Sequence, residues 1–175
     1  MSAPAETRSE ALRLAEGEFA VFPFLGRPDA VDRQHAATSD RPVVETAFDL
    51  APDGTRLAVR TRGLMVVIAR RESRWLTSGV RSALAGAHAI DLGNGRLTFW
   101  YRARDGRGPR STNGYLAPDV DTRSMEGRYG AAGYIVLGAE AASQLPGSVD
   151  ELPEAPAWLT GLIEKAFGGR QGGAA

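Results

Sequence analysis

Residues 56–71 read RLAVRTRGLMVVIARR. Arg56 to Thr61 and Leu64 to Ala69 are strand-length runs rich in apolar and β-branched residues, and they flank Arg62-Gly63. Glycine enters the positive-φ conformations of tight turns without steric cost, so the stretch predicts a β-hairpin turning at Arg62-Gly63. A second turn, Asp53-Gly54, stands just before it.

Working outward toward the N-terminus, Thr7 and Glu10 have the spacing of a capping box ahead of Ala11, Leu12, Leu14 and Ala15, which predicts a helix from about 8 to 16. Phe19 to Phe24 reads as a strand ending near Pro23, a residue that cannot donate to a ladder. The stretch 26–40 reads as a loop and Pro42 to Phe48 as a short helix. Toward the C-terminus, Arg74 to Ala87 predicts a helix with Trp75, Val80, Leu84 and Ala87 in the core, interrupted by Gly79. Gly93-Asn94-Gly95 is a turn into an aromatic strand, Arg96 to Ala103, followed by a polar loop from Asp105 to Thr112. Ala132 to Leu137 reads as a strand. Pro156 opens a last helix with Trp158, Leu159, Leu162, Ile163 and Phe167 on one face, stopped by Gly168-Gly169. His35 and His88 have no partner pattern and read as a loop and a helix residue. Helices and strands are interspersed, so the expected class is α+β, with a mixed or antiparallel sheet and flanking helices. The expected organisation is a disordered N-terminus over 1–7, one domain over 8–168 and a flexible tail over 169–175.

Composition narrows the chemistry. The 175 residues contain no cysteine and two histidines, which argues against disulfides and against a zinc site built on thiolate or imidazole. No apolar run approaches the roughly 20 residues of a membrane helix, and residues 1–20 lack a secretory core, so the expected location is cytoplasmic. The net charge of zero hides an asymmetry: residues 56–137 hold fourteen arginines against six acids, whereas 1–55 hold ten acids and five arginines. Arginine's planar fork suits phosphate oxygens, though Lys165 is the sole lysine and the arginine excess follows in part from that skew.

Several segments, in order, carry a resemblance. Glu10-Ala-Leu-Arg-Leu-Ala-Glu-Gly17 with Ala20-Val-Phe-Pro-Phe24, then Ala37-Thr-Ser-Asp40, then Pro52-Asp53 through Val67 precede the most specific piece. That piece is Arg110-Ser-Thr-Asn-Gly-Tyr-Leu-Ala-Pro-Asp-Val-Asp-Thr-Arg123, followed by Ala132-Gly-Tyr-Ile-Val136 and by Leu152-Pro-Glu-Ala-Pro-Ala-Trp-Leu159. Over about 10–163 the chain resembles the primase-polymerase domain of bifunctional DNA primase/polymerases, in the archaeo-eukaryotic primase superfamily. The resemblance implies an RNA-recognition-motif-like sheet with a catalytic cleft over it, and a role in DNA replication, here beside the replication proteins of a mobile element.

It also implies chemistry that the residues do not supply. Nucleotide transfer takes two divalent ions about 4 Å apart, held by carboxylates. The family's acidic pair, two residues apart on the hairpin strand, falls on Ile68 and Arg70. Neither side chain is an oxygen ligand of the kind magnesium takes. The family's phosphate-contacting histidine falls on Thr98, or on Arg96 if the turn is shifted. Only the third acidic position survives, as Asp121. The sequence therefore predicts a catalytically inactive relative without a cofactor. It would bind single-stranded DNA or RNA, or a nucleotide, through a cationic cleft built from Arg70, Arg96, Arg102, Arg110 and Arg123, with Phe99, Trp100 or Tyr101 as a stacking surface. Two alternatives stand beside this: a regulatory protein-interaction module that binds no nucleic acid, and an active enzyme whose Mg2+ or Mn2+ sits on Asp119 and Asp121, with Glu72 or Asp91 swinging in. The structural alternative for Asp121 is an ion pair with Arg123 or Arg128.

Overall fold

The computed structural model describes residues 4–26, 34–106, 108–125 and 133–168. In chain order the elements are α1 (Ala5–Glu16), β1 (Val21–Phe24), α2 (Arg41–Asp49), β2 (Arg56–Arg60), β3 (Leu64–Arg70), α3 (Ser78–Ala83), β4 (His88–Asp91), β5 (Arg96–Arg102), β6 (Thr112–Ala117), β7 (Val120–Arg123), β8 (Tyr134–Leu137), α4 (Ala139–Ser143) and α5 (Ala157–Gly168). The class is α+β, with two antiparallel sheets. The chain divides into two compact units, Met1–Thr61 with Tyr134–Leu152, and Arg62–Gly133 with Pro153–Ala175.

The first unit holds the sheet β1-β2-β8. Pro23 is tolerated because β1 is an edge strand. One face of this sheet gathers Phe22, Phe24 and Ala58, with Tyr134 and Val136 packed against them. Tyr134 meets Phe22 edge-on at 5.5 Å between ring centroids, and Arg56 lies 5.1 Å from the centre of the Phe24 ring. Helices α1, α2 and α4 contact the sheet and contribute Leu14, Val44, Phe48 and Ala142 to the buried core.

The second unit holds the sheet β4-β5-β3-β7-β6. On one of its faces Met65, Val67, Ala69, Phe99, Tyr101 and Val120 form a single cluster with Leu76 and Leu84 and with Leu159 and Ile163 of α5. These are the alternate residues of β3, β5 and β7, as a strand period of two requires.

The expected hairpin at Arg62-Gly63 does not form. Strand β2 takes β1 and β8 as its ladder partners, and β3 takes β5 and β7. All six residues from Leu64 to Ala69 are buried, so β3 is satisfied only by a neighbour on each edge. Gly63, at φ +84, turns the chain out of one sheet and into the other, and its carbonyl accepts a hydrogen bond from Ala103 N at 2.9 Å. The turn was legible; the pairing it leads to was not. Tight hairpins occur instead at β4-β5 and β6-β7.

Other expectations shift at element ends. Helix α1 begins at Ala5, inside the stretch expected to be disordered, with Pro4 at its cap, and Thr7 is a buried residue within it and not a capping box. The helix expected over 74–87 shrinks to α3, because Thr77 caps it by accepting from Val80 N at 3.3 Å and the chain turns again near Gly86. His88 consequently lies in β4, not in a helix, and His35 sits in a single turn of 3-10 helix. In α5 only Leu159 and Ile163 are buried, while Trp158 and Leu162 are 38% and 42% exposed. The Phe167 side chain and the tail beyond 168 lie outside the described residues, as do residues 27–33 of the loop expected over 26–40 and Ala132 at the start of the strand now seen as β8.

Candidate functional site

Sheet register decides which of the singled-out residues meet. Ile68 of β3 stands directly opposite Thr98 of β5 on one side and Asp121 of β7 on the other. The three form one cross-strand row, and directly opposed residues share a sheet face. Two residues along, Arg70 stands directly opposite Arg96 on that same face. This face is opposite the one occupied by the Met65, Phe99 and Tyr101 cluster.

Within the row each side chain is already engaged. Thr98 is fully buried; its hydroxyl donates to Ile90 O at 3.2 Å and accepts from the Trp100 indole N–H at 2.9 Å. Asp121 Oδ1 accepts from Gly114 N at 2.9 Å, and Oδ2 faces Arg123 Nη2 at 3.4 Å. Gly114 makes this contact from an irregular stretch of β6, at φ +62, a conformation glycine adopts at little cost. Arg123 also donates to Thr112 O and Thr122 O, both at 2.8 Å. The ion pair expected as the structural alternative for Asp121 is therefore present, with Arg123 as the partner.

Two divalent ions do not fit these residues. Ile68 offers no donor, Thr98 spends its hydroxyl on backbone and indole, and Asp121 is bound to an amide and a guanidinium. Arg70 brings a fixed positive charge two residues further on. The relocated set does not converge either: Asp119 accepts from Ser73 Oγ at 3.0 Å, and Asp91 takes Gly93 N and the Arg71 guanidinium. Among the described residues no three histidine, aspartate or glutamate side chains gather closely enough to hold a metal ion.

The arginines separate into one pair and three outliers. Arg70 and Arg96 are exposed, and among the described residues neither guanidinium has a hydrogen-bond or ion-pair partner. With Arg71, Glu72, Asn94 and Gly95 they line an open concavity of ≈ 680 Å³. Arg71 N donates to Gly95 O at 2.8 Å, which holds the β4-β5 turn beside the end of β3. Arg123 stands opposite Val66, four residues from Arg70 and so about 13 Å away along the strand. Arg102 stands opposite Leu64 at the far end of β5, where its backbone bonds Pro153 O and Ala155 N. Arg110 is exposed in a separate bridge to Met125. The five-arginine cleft expected from the sequence is thus an Arg70 and Arg96 site.

The stacking surface is also corrected. Phe99, Trp100 and Tyr101 are 8%, 0% and 2% exposed, so none offers a ring face to a ligand. Sequence reading expected one of the three to remain outside. It missed that both faces of β5 are buried at this point, and that Asn94 and Gly95 join the arginines. The Gly93-Asn94-Gly95 turn was visible, but its position beside Arg70 follows from pairing alone. In comparison with known proteins, no family model matches the chain and no curated protein matches it.

Proposed function

We propose that the chain is a degenerate primase-polymerase-like protein that binds phosphate-bearing ligands, single-stranded nucleic acid or nucleotide, and does not transfer nucleotides. The carrying observation is the Arg70 and Arg96 rung. Like charges directly opposed across a strand pair are destabilising, and here they stand exposed without a carboxylate partner among the described residues. An anion placed between them relieves the repulsion and accepts charge-assisted hydrogen bonds from both forks.

Support for the family reading comes from register. Ile68, Thr98 and Asp121, assigned from three separate motifs, fall on one row. The order β4-β5-β3-β7, with all neighbours antiparallel and α3 joining β3 to β4, suits an RNA-recognition-motif-like sheet. One departure is that along the chain β6, the edge strand beyond β7, comes between β5 and β7 where that motif has a helix, and α5 follows later. The pseudoenzyme reading follows from the unsuitability of the row for divalent ions.

The test is fluorescence anisotropy with a labelled single-stranded oligonucleotide. Two neutralised phosphates predict a slope of log K against log salt of about −1.4. Arg70→Ala with Arg96→Ala should abolish the salt-sensitive component. Absence of binding at low salt, or binding indifferent to the double variant, would reject the proposal. Primer extension that disappears in Asp121→Ala would instead revive an active enzyme.

A further inference from the structure

The concavity beside β3 has a composition that restricts what it can read. Its lining is Arg70, Arg71, Glu72, Asn94, Gly95 and Arg96, all charged, amide or glycine, with no aromatic and no apolar side chain. The three aromatics of the adjoining strand are turned into the protein. Base recognition needs a ring or guanidinium plane held in place for stacking, or a set of donors and acceptors fixed against base edges. Two guanidinium groups on one rung supply N–H forks for phosphate oxygens, and no hydrogen bond among the described residues fixes them, Asn94 or Glu72 against a base edge. Arg71 is held by Asp91, so the free positive charge is that of Arg70 and Arg96, opposed by Glu72 at the same site.

Resting on the phosphate-binding reading above, we infer that this site recognises phosphate alone: it is blind to the base, and the guanidinium of Arg70 serves as the counter-charge in place of a divalent ion. Its ligand chemistry is a pair of adjacent phosphates, from a polyphosphate chain or from a nucleic-acid backbone. A cation covalently fixed to the strand needs no metal to bridge it to the ligand. Added magnesium competes with it by neutralising the phosphates first.

The test titrates the full chain by calorimetry at low salt with inorganic tripolyphosphate, with each of the four nucleoside triphosphates, and with an abasic oligonucleotide, in chelator and in excess magnesium. Tripolyphosphate and the four triphosphates are expected to bind within about twofold of one another. Chelator should change nothing, and excess magnesium should weaken binding. Preference for tripolyphosphate over the abasic strand assigns the ligand to free polyphosphate, and the reverse assigns it to a backbone; both support the inference. Glu72→Gln should tighten every phosphate ligand about threefold, the effect of removing one charge some 6 Å away in a water-like dielectric. Because Glu72 is exposed, this variant tests the site without disturbing the core. A tenfold preference for one base, or a requirement for magnesium, overturns the inference while Arg70-dependent binding stands. Failure of every phosphate ligand to bind overturns the inference and the functional reading together.

Discussion

Reversing one charge of the Arg70 and Arg96 rung should make the protein more stable and less able to bind. The two residues are directly opposed at the exposed end of β3 and β5, where Cβ atoms lie about 5 Å apart. Two unit charges about 6 Å apart in a water-like dielectric interact by roughly 0.7 kcal/mol, and salt at 0.1 M screens over about 10 Å. In Arg96→Glu the repulsion becomes attraction of similar size, so stability at low ionic strength should rise by about 1 kcal/mol. Urea midpoints for Arg96→Glu, Arg70→Glu and the doubly reversed protein complete a cycle that isolates the pair, with an expected coupling of about 2 kcal/mol, twice the gain of a single reversal. The gain should shrink in about 0.5 M salt, and phosphate binding should fall in both single variants. A coupling below about 0.5 kcal/mol, or single reversals that destabilise at low salt, would show that the two guanidinium groups do not face one another and do not form one site.

Thr98→Val keeps the shape of a fully buried side chain but leaves the Trp100 indole N–H without its acceptor. A loss of about 1–3 kcal/mol in urea is expected, and an unchanged midpoint would mean that the bond contributes nothing. Burial pushes the Tyr101 hydroxyl up to about 12 from its ordinary 10.0, so on raising the pH the unfolded chain gives up this proton first. The stability it contributes is whole below pH 10 and is lost as pH climbs from 10 through 12. Tyr101→Phe should flatten that part of the alkaline loss; since the hydroxyl has no partner among the described residues, neutral-pH stability should hold or rise. Leu159→Ala should cost about 2–5 kcal/mol and Leu162→Ala less than about 0.5 kcal/mol, because one is fully buried against the sheet and the other is 42% exposed. Equal losses in thermal melts would contradict the described face of α5.

Local chemistry was readable along the chain. Asp53-Gly54, Gly63 and Gly93-Asn94-Gly95 mark turns where glycine φ is positive, and β-branched or aromatic runs mark β1, β3, β5 and β8. That Ile68, Arg70 and Thr98 carry no carboxylate was likewise a matter of residue identity. Local pattern and residue identity therefore account for the α+β class, most of the turns and strands, and the absence of carboxylates from those three positions. Tertiary structure alone decided that β2 and β3 lie in different sheets, that Arg70 meets Arg96 while Arg102, Arg110 and Arg123 stand elsewhere, and that all three aromatics of β5 are inside. The physical reason is that a turn or a strand is specified by a few neighbouring residues. The partner across a ladder is chosen by competition among all strands, and β3, buried along its length, is satisfied by β5 and β7 together and not by the strand that precedes it.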